Sequence, residues 1–189
     1  MTTITPLAEQ EIAVGEEFEV VISIDDVSNY DACNYTLTYD TQVARLLVVE
    51  EGSIDGTVIP VSGWNEIAPG QVIVVNNVPG LPGVNGGGHL AVVRFEAIGI
   101  GRDVTFSLED GFINDNQAEE IPAAWGVETV DFFRPGDANL DGSVDTSDLS
   151  VIEHCICTRS YLRVADTKGD GIINSADITA TEMIIAGLS

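Results

Sequence analysis

The chain has 189 residues, is 44% hydrophobic, and carries a formal charge of −24 at pH 7 from 31 acidic and 7 basic side chains. So much like charge all but excludes nucleic acid and anionic membrane surfaces as partners and leaves cations and neutral surfaces. The length suits one large domain or two small ones with a real core, no run approaches the roughly 20 apolar residues of a membrane helix, and Cys33, Cys155 and Cys157 make no disulfide framework.

The first residues, MTTITPLAEQ, have neither the basic n-region nor the apolar h-region of a secretory leader. From about Ile4 to Phe132 the sequence then reads as strands. FEVVISI (Phe18 to Ile24), CNYTLTYD (Cys33 to Asp40), ARLLVVE, GTVIPV, QVIVVNN, HLAVVRFEAIG and VTFSLEDGFI are short runs rich in Val, Ile, Thr and Tyr, separated by Gly, Pro, Asn and Asp. That rhythm predicts an antiparallel β-sandwich over residues 1–133. Within CNYTLTY the alternation assigns Cys33, Tyr35, Leu37 and Tyr39 to the core and Asn34, Thr36 and Thr38 to solvent. The segment PGLPGVNGGG is glycine-rich but lacks the Gly-Lys-Ser/Thr of a phosphate loop, and is expected to be a surface loop.

After FFRPG the pattern changes to Asp/Gly loops followed by helical periodicity, with Leu149, Ile152 and Ile156, and then Ile178, Thr181 and Ile185, at i, i+3 and i+7. The connection near Pro135 is short and stiff, so a second unit is expected over 136–189, and the whole chain reads as all-β plus a small all-α part. This second unit is an internal repeat: DANLDGSVDTSD (Asp137 to Asp148) and DTKGDGIINSAD (Asp166 to Asp177) align at an offset of 29 residues, and each leads into a helix.

The first repeat matches the calcium-loop template D-x-[DN]-x-[DN]-G with a further oxygen donor at position 9 and a carboxylate at position 12. Asp137, Asn139 and Asp141 offer side-chain oxygens, Gly142 allows the sharp turn, Ser143 offers its carbonyl, Asp145 acts directly or through water, and Asp148 closes the site. Six to eight oxygen donors select a hard cation, with Ca²⁺ the default over Mg²⁺. The second loop offers Asp166, Asp170, the carbonyl of Ile172, Asn174 and Asp177, but Lys168 occupies position 3 and has no acceptor to give. Two Ca²⁺ sites are expected, the second weakened by Lys168.

Pro135 and Gly136 stand where the entering helix of an EF-hand would end, so only the exiting helices are present. Two such loop–helix units in tandem resemble a type I dockerin over Gly136 to Gly187. The resemblance implies that loop positions 10 and 11, together with positions 17, 18 and 22 of each repeat, contact a cohesin partner. These are Thr146, Ser147, Glu153, His154 and Thr158, then Ser175, Ala176, Glu182, Met183 and Gly187. The preceding half resembles a cohesin, the dockerin's receptor, through AVGEEFEVVISIDDV, CNYTLTYDTQVARLLVVEEGSI, GGGHLAVVRFEAIG and FSLEDGFINDNQAEEI. The likeness implies a jelly-roll sandwich and recognition of a dockerin-bearing protein through the strand carrying Ala32 and Asn34, where cohesins often have an Asn and an Asp.

The combined resemblance implies a non-catalytic, calcium-dependent scaffold or adaptor of cellulosome type. It implies an extracellular or cell-surface location, with head-to-tail self-association as a further option, while the charge argues against a nucleic-acid or membrane partner. A salty habitat and an ordinary secreted acidic protein both account for the charge. The rival function is a carbohydrate-binding sandwich, with Trp64 and Trp125 as its aromatic candidates; ordinary tryptophan burial argues against it. Zinc at His154, Cys155 and Cys157 is disfavoured because adjacent and i, i+2 helical positions diverge, which leaves Cys155 for helix packing. The two histidines lie in different halves, and no Ser-His-Asp or Cys-His arrangement supports catalysis.

Overall fold

The computed structural model describes residues 1–78, 80 and 82–188. Eleven strands come first: β1 (Thr2–Leu7), β2 (Glu11–Ala13), β3 (Glu17–Thr38), β4 (Ala44–Ile54), β5 (Thr57–Ile59), β6 (Val61–Ala68), β7 (Gln71–Asn77), β8 (Val84–Ala97), β9 (Gly101–Asp115), β10 (Ala123–Trp125) and β11 (Val127–Phe133). Helices α1 (Thr146–Thr158) and α2 (Ser175–Ile185) follow, with a 3₁₀ turn, Arg163–Ala165, between them.

The strands form two layers stitched together by β3. Its first half pairs with β8 and β1, and its second half with β7 and β9, so the 22-residue strand belongs to both. One layer runs β5-β4-β8-β3-β1-β10 and the other β6-β7-β3-β9-β11-β2. The sequence separates FEVVISI from CNYTLTYD, and the chain instead continues through DDVSNYDA with register breaks between Ile24, Val27 and Tyr30. Asn29, at φ 62° in that bend, takes the left-handed backbone that asparagine tolerates and re-aims the strand from one layer to the other. Most pairs are antiparallel, as expected, but β1–β10 and β2–β11 are parallel.

Phe18, Val20, Ile22 and Ile24 from the first half of β3, and Tyr35 and Leu37 from the second, meet Val93, Phe95, Val74 and Phe106 in a single core. At one end of that core Phe95 stacks on Phe18 (5.5 Å between centroids) and meets Phe106 edge-on at 5.3 Å. Cys33, Tyr35, Leu37 and Tyr39 are buried, as the alternation predicts, while Asn34 and Thr38 are half-buried. Thr36 departs from the expectation: it is buried, in register between Ile73 of β7 and Glu109 of β9. Val84 to Gly88, expected in a loop, belong to β8, whereas Pro79 and Leu81 lie outside the described residues. Trp125 rests against Tyr35, with its ring over Gly111, and is half-buried; Trp64 stays 41% exposed on β6.

A Cβ placed on Gly111 would stand 2.0 Å from the Trp125 ring. Gly111→Ala is therefore expected to cost about 1–3 kcal/mol by forcing the ring or strand aside. For a unit of this size the cost should appear as a fall in melting temperature of roughly 4 °C per kcal/mol in calorimetry; an unchanged melting temperature would show that Trp125 does not seal this edge.

The helical half has its own small core of Ala138, Ile152, Cys155 and Ala165, lined by Val151, Ile156, Ile173 and Ile178. Ile152 and Ile178 meet the predicted periodicity, Thr181 is fully buried, and Ile185 remains exposed. This half does not hang free. Ala13, Phe133 and Val164 form a third buried cluster with Leu140 against it, joining the end of the sandwich to the first loop and the 3₁₀ turn. Arg163 reaches Glu16 (2.7 Å) and Glu9 (3.3 Å), and Arg102 donates to the Leu140 carbonyl at 2.8 Å.

Candidate metal loops and recognition faces

Four carboxylates are buried among the described residues: Asp137 (3% exposed), Asp148 (0%), Asp166 (7%) and Asp177 (0%). They are positions 1 and 12 of the two predicted loops. In the first loop, Asp137 accepts from the backbone N–H of Asp141 (3.1 Å) and Gly142 (3.0 Å), and Asp148 accepts from Asn139 N–H (3.0 Å) and Asp145 N–H (2.8 Å). The second loop repeats this bond for bond: Asp166 with Asp170 (3.1 Å) and Gly171 (2.7 Å), and Asp177 with Lys168 N–H (3.1 Å) and Asn174 N–H (2.9 Å). Gly142, at φ 91°, makes the turn that the template assigns to glycine.

Positions 9 and 12 also cap the helices. Asp145 accepts from Ser147 N–H (2.8 Å) and, with Asp148 at N3, completes a capping box on α1; Asn174 and Asp177 do the same on α2. The loop carboxylates are thus held by the backbone that they organise, and helix starts and loop closure are one event.

Each buried carboxylate is hydrogen-bonded, yet none of the four has a basic side chain within ion-pair distance among the described residues. Burying ionised groups without a counter-charge is costly. Burial, and then the charge of Asp148, push the Asp137 carboxyl above its ordinary range despite the N–H bonds that oppose the shift. The more exposed Asp145 goes the other way, lowered by the N–H and hydroxyl of Ser147. Carboxylate, amide and carbonyl oxygens without sulfur or imidazole are the donor set of a hard cation, so the residues present fit calcium. Among the described residues no three His, Cys, Asp or Glu side chains already converge to hold a metal ion; Asn139 instead donates to Asp141 and Ser147, and Asp141 accepts from Ser143 N–H.

The second loop is altered where the sequence flags it. Lys168 turns its ammonium to Asp170 (3.3 Å), and the Ile172 carbonyl accepts from Asn174 Nδ2 (3.3 Å). Asp166 also accepts from the Tyr161 hydroxyl at 3.2 Å.

On the helices, Thr146, Ser147, Glu153, His154, Thr158, Ser175, Glu182 and Met183 are exposed and Ala176 is half-buried, and Gly187, just past α2, is exposed. His154 and Cys157 point to solvent while Cys155 is buried, so the His-Cys-Cys group does not assemble. On the sandwich, Asn34 pairs with Val75 on one side and Phe112 on the other, which places all three on one outward row. Val75 is 38% and Phe112 40% exposed. Sequence reasoning reached Asn34 but missed these two apolar neighbours. The signal was available, since both fall at the outward parity of otherwise alternating strands.

The cohesin domain model matches residues 3–127, and the dockerin type I domain model matches residues 135–183. The chain belongs to the cohesin family. Its cohesin domain is followed by a dockerin domain, both modules of protein interaction rather than catalysis, and their pairing gives the chain a cohesin–dockerin interaction role of cellulosome-like type. Among solved structures, the non-cellulosomal cohesin of the hyperthermophilic archaeon Archaeoglobus fulgidus is 20% identical, with a TM-score of 0.58 over 73% of this chain and 95% of that one. The cohesin module of a Clostridium perfringens family 33 glycoside hydrolase is 15% identical, with a TM-score of 0.63 over 70% and 97%. The sixth cohesin of scaffoldin B from Acetivibrio cellulolyticus, solved in complex with a Cel5 dockerin, is 17% identical, with a TM-score of 0.57 over 69% and 99%. At these identities the likeness carries the fold alone. No curated protein matches the chain. Among the described residues no helix is long and apolar enough to cross a membrane.

Proposed function

We propose that the chain is a non-catalytic, calcium-dependent extracellular adaptor that divides into a cohesin unit (1–133) and a dockerin unit (136–189). The dockerin unit takes calcium through Asp137, Asn139, Asp141, Ser143, Asp145 and Asp148, and through Asp166, Asp170, Ile172, Asn174 and Asp177. It presents Thr146, Ser147, Glu153, His154 and Thr158, with Ser175, Ala176, Glu182 and Met183, to a cohesin partner. The row Phe112, Asn34 and Val75 receives the dockerin of a second protein. Calcium when bound supplies the positive charge that four buried carboxylates lack; everything else is binding and positioning by this chain's own groups.

The observation that carries the reading is that Val75 and Phe112 on the sandwich and Thr146, Glu153, His154 and Met183 on the helices stay exposed while the two halves contact each other elsewhere, through Phe133, Leu140 and Arg163. The test mixes the full chain with a panel of purified cohesin and dockerin modules and asks, in calcium and in EDTA, whether one chain bridges a cohesin to a dockerin. Bridging in calcium alone supports the adaptor. Retardation by cellulose, xylan or chitin in affinity electrophoresis, without module capture, would replace it with the glycan reader.

Lys168 should make the sites unequal, since it withholds an oxygen and places a positive charge beside the ion. Calorimetry is expected to resolve a tight and a weak site, with Lys168→Asn strengthening the weak one; two equal sites in the unmodified chain would refute this. Residues 136–189 hold nine acidic and three basic side chains, leaving −6 there and −18 on the sandwich. Head-to-tail self-association is therefore expected to be weak at low salt, to rise as salt screens the halves, and to vanish in EDTA. Light scattering that finds a stable calcium-independent dimer would remove the dockerin unit from the contact.

A further inference from the structure

The first loop is gripped by the sandwich at the residue between two of its proposed ligands. Leu140 lies between Asn139 and Asp141, at φ 59°, an uncommon backbone for a leucine. Its carbonyl accepts from the Arg102 guanidinium at 2.8 Å, and its side chain packs beside Ala13, Phe133 and Val164. A cavity of about 310 Å³ is walled on one side by Arg102, Asp131 and Phe133 of the sandwich and on the other by Asp137, Leu140 and Asp141 of the loop. Two of the chain's few cations, Arg102 and Arg163, cross this junction in opposite directions. Both halves are negative, so the contact needs such bridges, and positive charge gained by the loop strengthens it further.

We infer that Arg102 and Leu140 are positioning residues for calcium in the first loop, and that calcium binding and docking of the dockerin unit on the sandwich reinforce each other. The inference rests on the proposed calcium reading of that loop. With Leu140 held, Asn139 and Asp141 keep the backbone of a closed loop; with the loop closed by its ion, Leu140 is presented to Phe133 and Val164. Reciprocity then follows from thermodynamic linkage: whatever factor docking adds to calcium affinity, calcium adds to docking. The consequence is that the docked arrangement of the two recognition faces is populated in calcium and lost without it.

Two variants of the full chain test it. Leu140→Ala removes the apolar grip without touching charge. Arg102→Ala removes the hydrogen bond and also a positive charge near the ion, and the relief of Coulomb repulsion alone would tighten calcium, so a loss of affinity in that variant reports positioning. Calorimetric calcium titration is expected to show the tighter step weakened about 5-fold or more in both. Hydrogen exchange supplies the reverse readout. The Val14 amide, which donates to the Phe133 carbonyl at the junction (2.8 Å), should exchange more slowly in calcium than in EDTA in the parent chain, and about equally in the two states in the variants. A parent that takes up no calcium would overturn the calcium reading and the coupling with it. A parent that binds calcium, with both variants binding equally tightly and Val14 exchange indifferent to the ion, would overturn the coupling alone.

Discussion

Chelation with EDTA is expected to unfold residues 136–189 while the sandwich stays folded. The dockerin unit buries Ala138, Ile152, Cys155 and Ala165 in its own core, beside four carboxylates that have no basic partner among the described residues. Its helices, of 13 and 11 residues, are no longer than the length at which isolated helices become marginal in water, so neither sustains itself by propensity. Their N-termini are capped by loop residues Asp145, Asp148, Asn174 and Asp177, which ties helix formation to loop closure. Calcium at a thousand times its dissociation constant adds about 4 kcal/mol of stability, comparable with the whole stability of so small a unit. Scanning calorimetry of the full chain should therefore show two transitions, with the lower one moving strongly with calcium and disappearing in chelator. Asp148→Ala, which removes a proposed ligand and half of a capping box, should abolish that transition even in millimolar calcium. Helical circular dichroism that is unchanged by EDTA would refute the dependence.

The parts of this molecule that are local were legible in the sequence. The repeat offset, a helix after each Asp/Gly loop and the inward side of CNYTLTY all follow from spacing, because each depends on residues within a turn or a pleat of one another. What escaped depends on distant pairing. The continuity of β3 through Asn29 is decided by β8 and β9, strands more than 50 residues away, and the parallel pairing of β2 with β11 joins opposite ends of the sandwich. The junction escaped for the same reason. Arg163 and Glu16 are 147 residues apart, and nothing in either neighbourhood marks them as partners. The link near Pro135 runs from the end of β11 at Phe133 straight into the first loop, and the halves meet through Phe133 and Leu140, away from the faces proposed for partners. The capping role of Asp145 and Asp148 was hidden inside the metal template, since the spacing that closes a loop is also the spacing of a capping box.

Phe112→Ala is expected to weaken capture of a dockerin by the sandwich at least 30-fold, close to 2 kcal/mol or more, because an aromatic anchor in a docking face typically carries a disproportionate share of the binding energy. Phe112 is 40% exposed on β9, in register with Asn34 and, across β3, with Val75, so its removal empties the aromatic end of an apolar and amide row without opening the core. Val75→Glu should have an effect of similar size, since it buries an unpaired charge in the interface and adds to an already negative sandwich. Neither change should move the melting temperature of the sandwich by more than a degree or two, and neither should alter capture of a cohesin by the dockerin unit, whose exposed Glu153, His154 and Met183 lie on the helices instead. The reverse pair, His154→Ala and Met183→Ala, should leave dockerin capture intact and reduce cohesin capture, so that the four variants sort into two independent classes in one bridging assay. If Phe112→Ala and Val75→Glu both bind dockerin as tightly as the parent chain, the row through Asn34 is not the receptor face, and the sandwich must meet its partner through another surface.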